Sequence, residues 1–208
     1  MDDLDILIEG PKAIGTYGPT ILDLCAGSGS WSQPYVDRNY RVLRVTLPDY
    51  DICLWPSAPS NMGRLPNDFG DIRKFVGHIH GVLAAPPCTC FSAAGARIGR
   101  TDKDMKQAIS VMDACIRLVY VLKPKWWALE NPIGKMQRWL GEPTYKFQPN
   151  WFGDPYTKQT LLWGRFEIPE EKFIPAFDGS KMSENIRSQA NRSITPPAFA
   201  EAFCRSNP

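Results

Sequence analysis

Short apolar runs punctuated by glycine, proline and charged residues set the pattern of this chain, with one longer amphipathic stretch among them. Residues 20–25 (TILDLC) form such a run and close in Ala26-Gly27-Ser28-Gly29-Ser30, the pattern of a buried strand entering a glycine turn. Residues 41–47 (RVLRVTL) predict a second strand ending at Pro48 and Asp49, and residues 81–85 (GVLAA) a third, stopped by Pro86-Pro87. Between 105 and 122 the apolar residues Met105, Ile109, Met112, Ile116 and Val119 recur at helical spacing and form one stripe. Residues 126–129 (WWAL) predict the next strand, ended by Glu130-Asn131-Pro132, and residues 145–147 and 159–163 an antiparallel hairpin. Strands alternating with helical segments predict an α/β fold with a mostly parallel sheet.

Composition narrows the class without naming a function. The chain has 208 residues, 43% apolar and 22% charged, close to the average of folded domains, so a packed core is expected and wholesale disorder is not. No apolar run approaches the roughly 20 residues of a membrane span. The acidic start MDDLDILIEG lacks a basic n-region, so a cytoplasmic setting is expected rather than secretion. The net charge of +2 does not by itself announce nucleic acid, although the excess of Lys and Arg falls in the second half. The six cysteines show no framework spacing and read as reduced thiols. No second Cys/His pair accompanies Cys88 and Cys90, so no metal site is expected.

In a parallel sheet, ligands sit beyond the carboxyl ends of the strands, and four successive strand ends here carry unusual residues. The Asp23–Gly29 stretch suits close approach of backbone to a ligand, with Asp49 placed about 20 residues on to meet a ribose; a plain turn is the alternative. In Ala85-Pro86-Pro87-Cys88-Thr89-Cys90-Phe91-Ser92 the two prolines stiffen the approach to Cys88, a candidate nucleophile that could equally be a small packing residue. Glu130, directly after a Trp-Trp apolar run, is either a proton donor or a cap or ion-pair partner.

Gly-x-Gly, then Pro-Cys, then Glu-Asn in this order and spacing resembles the C5-cytosine-specific DNA methyltransferase family over about residues 20–164. That resemblance implies a Rossmann-like, S-adenosylmethionine-dependent fold, one catalytic domain over 1–208, and methyl transfer to a cytosine flipped out of DNA. It implies a nucleophile at Cys88, a catalytic glutamate at Glu130 and a basic residue at Lys158. Cofactor contacts are implied at Asp23, Cys25, Ala26, Gly27, Ser28, Gly29, Asp49, Asp71, Ile72 and Pro86. Ser92, Arg97, Arg100 and Lys103, in or next to the loop after the nucleophile, are implied DNA contacts, and residues 192–197 with a following helix are similar to the segment that closes the cofactor pocket.

The chain departs from the family pattern at Thr89, where glutamine is usual, and at Lys158 and Thr160, where two arginines are usual; Thr46 stands where an acidic residue is usual, leaving Asp49 as the substitute. Residues 165–189, about 25 in number, replace a target-recognition domain, too few for an independent unit. Sequence recognition is then expected to be short or supplied by a partner chain, as in a restriction–modification setting. The same chemistry on RNA or a free cytosine nucleotide, and a non-catalytic nucleic-acid-binding relative, are the competing readings.

Overall fold

The computed structural model describes residues 18–46, 51–53, 77–92, 100–172 and 194–208. Asp49, Asp71, Ile72 and Arg97 lie outside them. The apolar runs become strands β1 (Thr20–Leu24), β2 (Arg41–Val45), β3 (Ile79–Ala84), β4 (Trp126–Pro132), β5 (Tyr145–Phe147) and β6 (Thr160–Arg165). They form one six-stranded sheet in the order β2-β1-β3-β4-β6-β5. The first three pairings are parallel, whereas β6 runs antiparallel to both β4 and β5. A mostly parallel α/β sheet with an antiparallel hairpin is therefore what the pattern predicted.

Helix α1 (Gln33–Val36) and helix α4 (Pro197–Ser206) lie on one face with Trp31, Tyr35, Phe199 and Phe203 against Ile21, Val42, Leu83 and Trp126 of the strands. Helix α2 (Asp102–Leu122) covers the other face, burying Met112, Cys115, Leu118 and Leu122 against Leu22, Leu43, Val82 and Leu129. A short helix α3 (Gln137–Leu140) follows β4. Ile21 and Leu22 belong to opposite layers, as the two-residue period of a strand requires. Among the described residues no helix is long and apolar enough to cross a membrane.

Two boundaries differ from the sequence pattern. Helix α2 begins at Asp102 rather than 105, because Thr101 and Asp104 form a reciprocal cap: Thr101 Oγ1 accepts the Asp104 N–H at 3.2 Å and Asp104 Oδ2 accepts the Thr101 N–H at 2.8 Å. That polar turn carries no apolar stripe. At the other end Lys123 takes a left-handed conformation and Pro124 follows, which stops the helix. Strand β4 does not end at Leu129 but runs through Glu130-Asn131-Pro132, since β6 continues to pair with it from Thr160 to Arg165.

The indole of Trp126 lies directly over Gly81, its register partner on β3, and stacks on Tyr35 with ring centroids 5.7 Å apart. A side chain on Gly81 would occupy the ring's position. Gly81→Val is expected to lower stability by about 1–3 kcal/mol, as overpacked cores do, which urea denaturation would measure.

Candidate active site

Parallel pairing brings the carboxyl ends of β1, β2, β3 and β4 to one rim. The Cys25 amide donates to Val45 O at 2.7 Å and the Ala85 amide to Leu24 O at 3.0 Å, so the chain leaves β1 and β3 side by side. Beyond Ala84 the two central strands separate: β3 pairs with β4 only as far as Ala84 and Leu129. Asn131 spans the gap, its buried Nδ2 donating to the Pro86 carbonyl at 2.9 Å. Pro86 is thereby buried and anchored, and its carbonyl is occupied within the protein. The chain then turns through Cys88–Cys90, with the amides of Phe91 and Ser92 donating to the Cys88 carbonyl at 3.0 and 2.8 Å. Ser92 bridges Gly134 and is buried, so it braces this loop.

Cys88, Glu130 and Lys158 come together in the gap. Lys158 Nζ lies 3.7 Å from Glu130 Oε1, and the two side chains are only 20% and 12% exposed, so little water screens the pair. At that distance the contact is ionic without being a hydrogen bond, and Glu130 Oε1 is buried with no hydrogen-bond partner. Burial and the Glu130 carboxylate push the Cys88 thiol above its ordinary range, while Lys158 and Arg100 pull it down. Tyr156 also faces this cleft: burial, Asp154 and Glu130 push its hydroxyl up to about 12. Thr160, by contrast, is fully buried and its hydroxyl donates to the Lys158 carbonyl at 2.9 Å. Thr160 shapes the backbone under Lys158 and takes no part in the cleft.

The glycine turn is held from beneath. Gly29 is buried and has φ +73°, a left-handed conformation that favours glycine, and the Arg44 guanidinium packs against it. Gly27, with φ +55° and nothing nearer its Cβ position than the Cys25 carbonyl at 4.0 Å, faces open space beside exposed Ser28. Ala26, half-buried, continues the same surface. Cys25 has φ +57°, and its thiol is hydrogen-bonded with Cys115 of α2, which directs the side chain into the core and leaves only backbone at the rim.

Asp23 is 1% exposed and does not reach the rim. The Ser32 hydroxyl lies within reach of both the Asp23 carboxylate and the Gly29 carbonyl (3.2 Å), and Arg44 Nε donates to Ser32 Oγ at 3.1 Å. Asp23 therefore supports the turn through Ser32 and is not in position to contact a cofactor directly. The C-terminal segment closes on the same turn, Ser30 Oγ donating to the Thr195 carbonyl at 2.7 Å. Asp154 accepts the Ala198 and Phe199 amides at the start of α4, which ties the segment carrying Lys158 to that helix.

Lys103 is exposed on the first turn of α2. Arg100 is different: Nε and both terminal nitrogens of its guanidinium are buried without a hydrogen-bond partner. Sequence reasoning assigned no role to Asn131, Tyr156, Ser32 or Arg44, although Asn131 stood in the Glu-Asn motif and Arg44 was a charge in the middle of a strand. All six cysteines are free thiols, and among the described residues no cluster of metal-ligating side chains occurs.

A glycine turn and a cysteine–glutamate–lysine cleft on one rim of a parallel sheet define an α/β protein with a candidate site at its strand ends. Comparison with known proteins gives the family likeness. The chain is similar to the Type II methyltransferase M.DdeI of Desulfomicrobium norvegicum, 29% identical over 125 residues, covering 55% of this chain and 28% of that protein. It is similar to the Type II methyltransferase M.NgoPII of Neisseria gonorrhoeae, 28% identical over 127 residues, covering 58% of this chain and 36% of that protein. The chain thus spans well under half the length of the curated relatives it matches. A crystal structure assigned as a DNA modification methyltransferase encoded within an E. coli prophage matches with a TM-score of 0.44 and 17% identity, over 73% of this chain and 49% of that one. No protein-family model matches.

Burial raises Asp23 from 3.8 to about 6, so the folded protein holds this proton more tightly than the unfolded chain. Its contribution to stability is present below pH 3.8 and is lost as pH rises to about 6, a loss of about 3 kcal/mol. Asp23→Asn abolishes that loss, so the stability of the variant relative to the parent is expected to rise between pH 4 and 7, measured by denaturant titration across that range.

Proposed function

We propose that this chain is a DNA cytosine-C5 methyltransferase that uses S-adenosylmethionine, with Cys88 as nucleophile, Glu130 as proton donor and Lys158 as the basic group beside it. Glu130 carries the reading. Its Oε1 is buried without a hydrogen bond and acts electrostatically on a cysteine held rigid by Pro86 and Asn131. A carboxyl group so placed is completed by a polar ring edge entering the cleft. The likeness to Type II methyltransferases supports methyl transfer as the reaction class.

The chemistry follows from what cytosine lacks. Its C5 is a weak nucleophile until a sulfur–C6 bond forms, which pushes electrons toward C5 while Glu130 gives a proton to N3. Once C5 has taken the methyl group, with S-adenosylhomocysteine as the leaving group, loss of the C5 proton to water expels the Cys88 sulfur and N3 returns its proton to Glu130. S-adenosylmethionine supplies the electrophilic methyl group. The open backbone at Cys25, Ala26, Gly27 and Ser28 fits such a nucleoside-type group, with Asp49, Asp71 and Ile72 as further contacts. Stacking hides C6, so the base leaves the duplex, and Arg97 and Lys103 meet phosphates near it. The whole forms one catalytic unit, with target recognition left to the short 165–189 segment or a partner chain.

Incubation with S-adenosylmethionine and DNA containing 5-fluorocytosine is expected to trap a covalent adduct, because fluorine does not leave as the proton does. Cys88→Ala is expected to abolish it. No adduct on DNA, together with turnover on RNA or a free nucleotide, would overturn the substrate assignment. Glu130→Gln is expected to slow transfer by about 100-fold or more with cofactor affinity nearly unchanged. Loss of cofactor binding in that variant would make Glu130 structural.

A further inference from the structure

The chain leaving β4 is strapped to both walls of the cleft. The Ile133 amide donates to the Gln159 carbonyl at 3.1 Å, next to Lys158, and the Lys135 amide donates to the Phe91 carbonyl at 2.7 Å, in the loop after Cys88. Gly134, between them, bridges Ser92, and its backbone lies so close that a Cβ would run into the Phe91 carbonyl. Met136, fully buried, anchors the turn that leads into α3. The Arg138 amide donates to the Lys135 carbonyl at 2.9 Å and the Trp139 amide to the Met136 carbonyl at 3.0 Å. The turn is therefore helical, and Lys135, Arg138 and Trp139, spaced i, i+3 and i+4, share its outer face.

That face is basic and apolar at once. Lys135 and Arg138 are exposed, and among the described residues neither side chain forms an ion pair. Residues 131–141 contain no acidic residue, and Glu142, the next one along, is held by Lys146 at 3.0 Å. Trp139 packs edge-on against Phe91 with ring centroids 5.7 Å apart yet stays 42% exposed, and Ile133 stays 44% exposed. Two cations beside an indole and an aliphatic side chain complement a strand that offers phosphates next to apolar sugars and base faces. A neutral protein surface laid here would desolvate both cations without matching them.

We propose that Ile133, Lys135, Arg138 and Trp139 form a docking ledge for the DNA strand beside the base that enters the cleft, with Lys135 and Arg138 on phosphates and Trp139 against a sugar or base face. The ledge is bonded to the loop carrying Cys88 and to the segment carrying Lys158, so it holds the strand where the base is delivered. The proposal rests on DNA being the substrate. Its test reads binding rather than methyl transfer and sets variants against the parent chain, so the two can fail separately.

The test is fluorescence anisotropy of a fluorescein-labelled DNA duplex titrated with the full chain over a range of salt concentrations. In the double variant Lys135→Gln/Arg138→Gln, affinity is expected to fall about tenfold or more, with the slope of log affinity against log salt reduced by about two. Trp139→Ala is expected to weaken binding roughly fivefold or more with the slope unchanged. The double variant alters exposed side chains only and carries the test if Trp139→Ala does not fold. Lys123→Asn/Lys125→Gln removes the same charge from the exposed other end of β4, asparagine being tolerated in the left-handed conformation of residue 123, and is expected to bind like the parent. A double variant that binds as tightly as the parent, with the same slope, would overturn the ledge, leave the substrate reading standing and free the face for a protein partner. An equal loss in the variant at 123 and 125 would also overturn it, by showing a general effect of net charge. A parent chain that binds no DNA would overturn the substrate reading and the ledge with it.

Discussion

Beyond Ala84 strand β3 leaves the sheet while β4 runs on to Pro132 along β6, and the Asn131 amide reaches across the opening to the Pro86 carbonyl. The candidate site depends on this separation. It creates a cleft between two strands that are otherwise hydrogen-bonded, and the Asn131 bond keeps the opening at a defined width. A buried amide–carbonyl bond is costly to leave unmade, so the loop carrying Cys88 has little freedom to drift from the strand carrying Glu130. The antiparallel β6 supplies the second edge that lets Glu130 sit on regular strand structure while one side faces the gap.

The same economy governs the glycine turn. Asp23, Ser32 and Arg44 form a polar support beneath it, and Gly29 supplies the left-handed backbone conformation that the turn needs. Only Gly27 and its neighbours present backbone outward. Ser30 holds the Thr195 carbonyl and Asp154 holds the start of α4, so residues far apart in the chain close around the rim. The turn and the cleft are thus built by different elements and joined through the C-terminal helix.

Electrostatics in the cleft is a balance rather than a single strong interaction. Glu130 opposes the thiolate that the proposed chemistry needs, Lys158 is mainly engaged with Glu130, and burial works against every charge present. In the proposed chemistry, an occupant that takes up the Glu130 charge removes its opposition to the Cys88 thiolate.

Much of the architecture was legible in the residues. Short apolar runs closed by glycine or proline marked the strands, the stripe from Met105 to Val119 marked α2, and the glycine, Pro-Cys and Glu-Asn motifs marked the rim, because each signal is local to a few neighbouring positions. Where local chemistry was polar the pattern fell silent: the Thr101–Asp104 cap lengthened α2, and pairing with β6 drew Glu130 to Pro132 into β4. Side-chain direction was not legible at all. Asp23 turned inward to Ser32, Ser92 was buried on Gly134, Thr160 was spent on a carbonyl, and Arg100 lost its water. The sequence by itself determined which residue types stand at the strand ends. Tertiary structure decided which of them meet, because a strand's departure from its neighbour and the burial of a charge depend on segments distant in the chain.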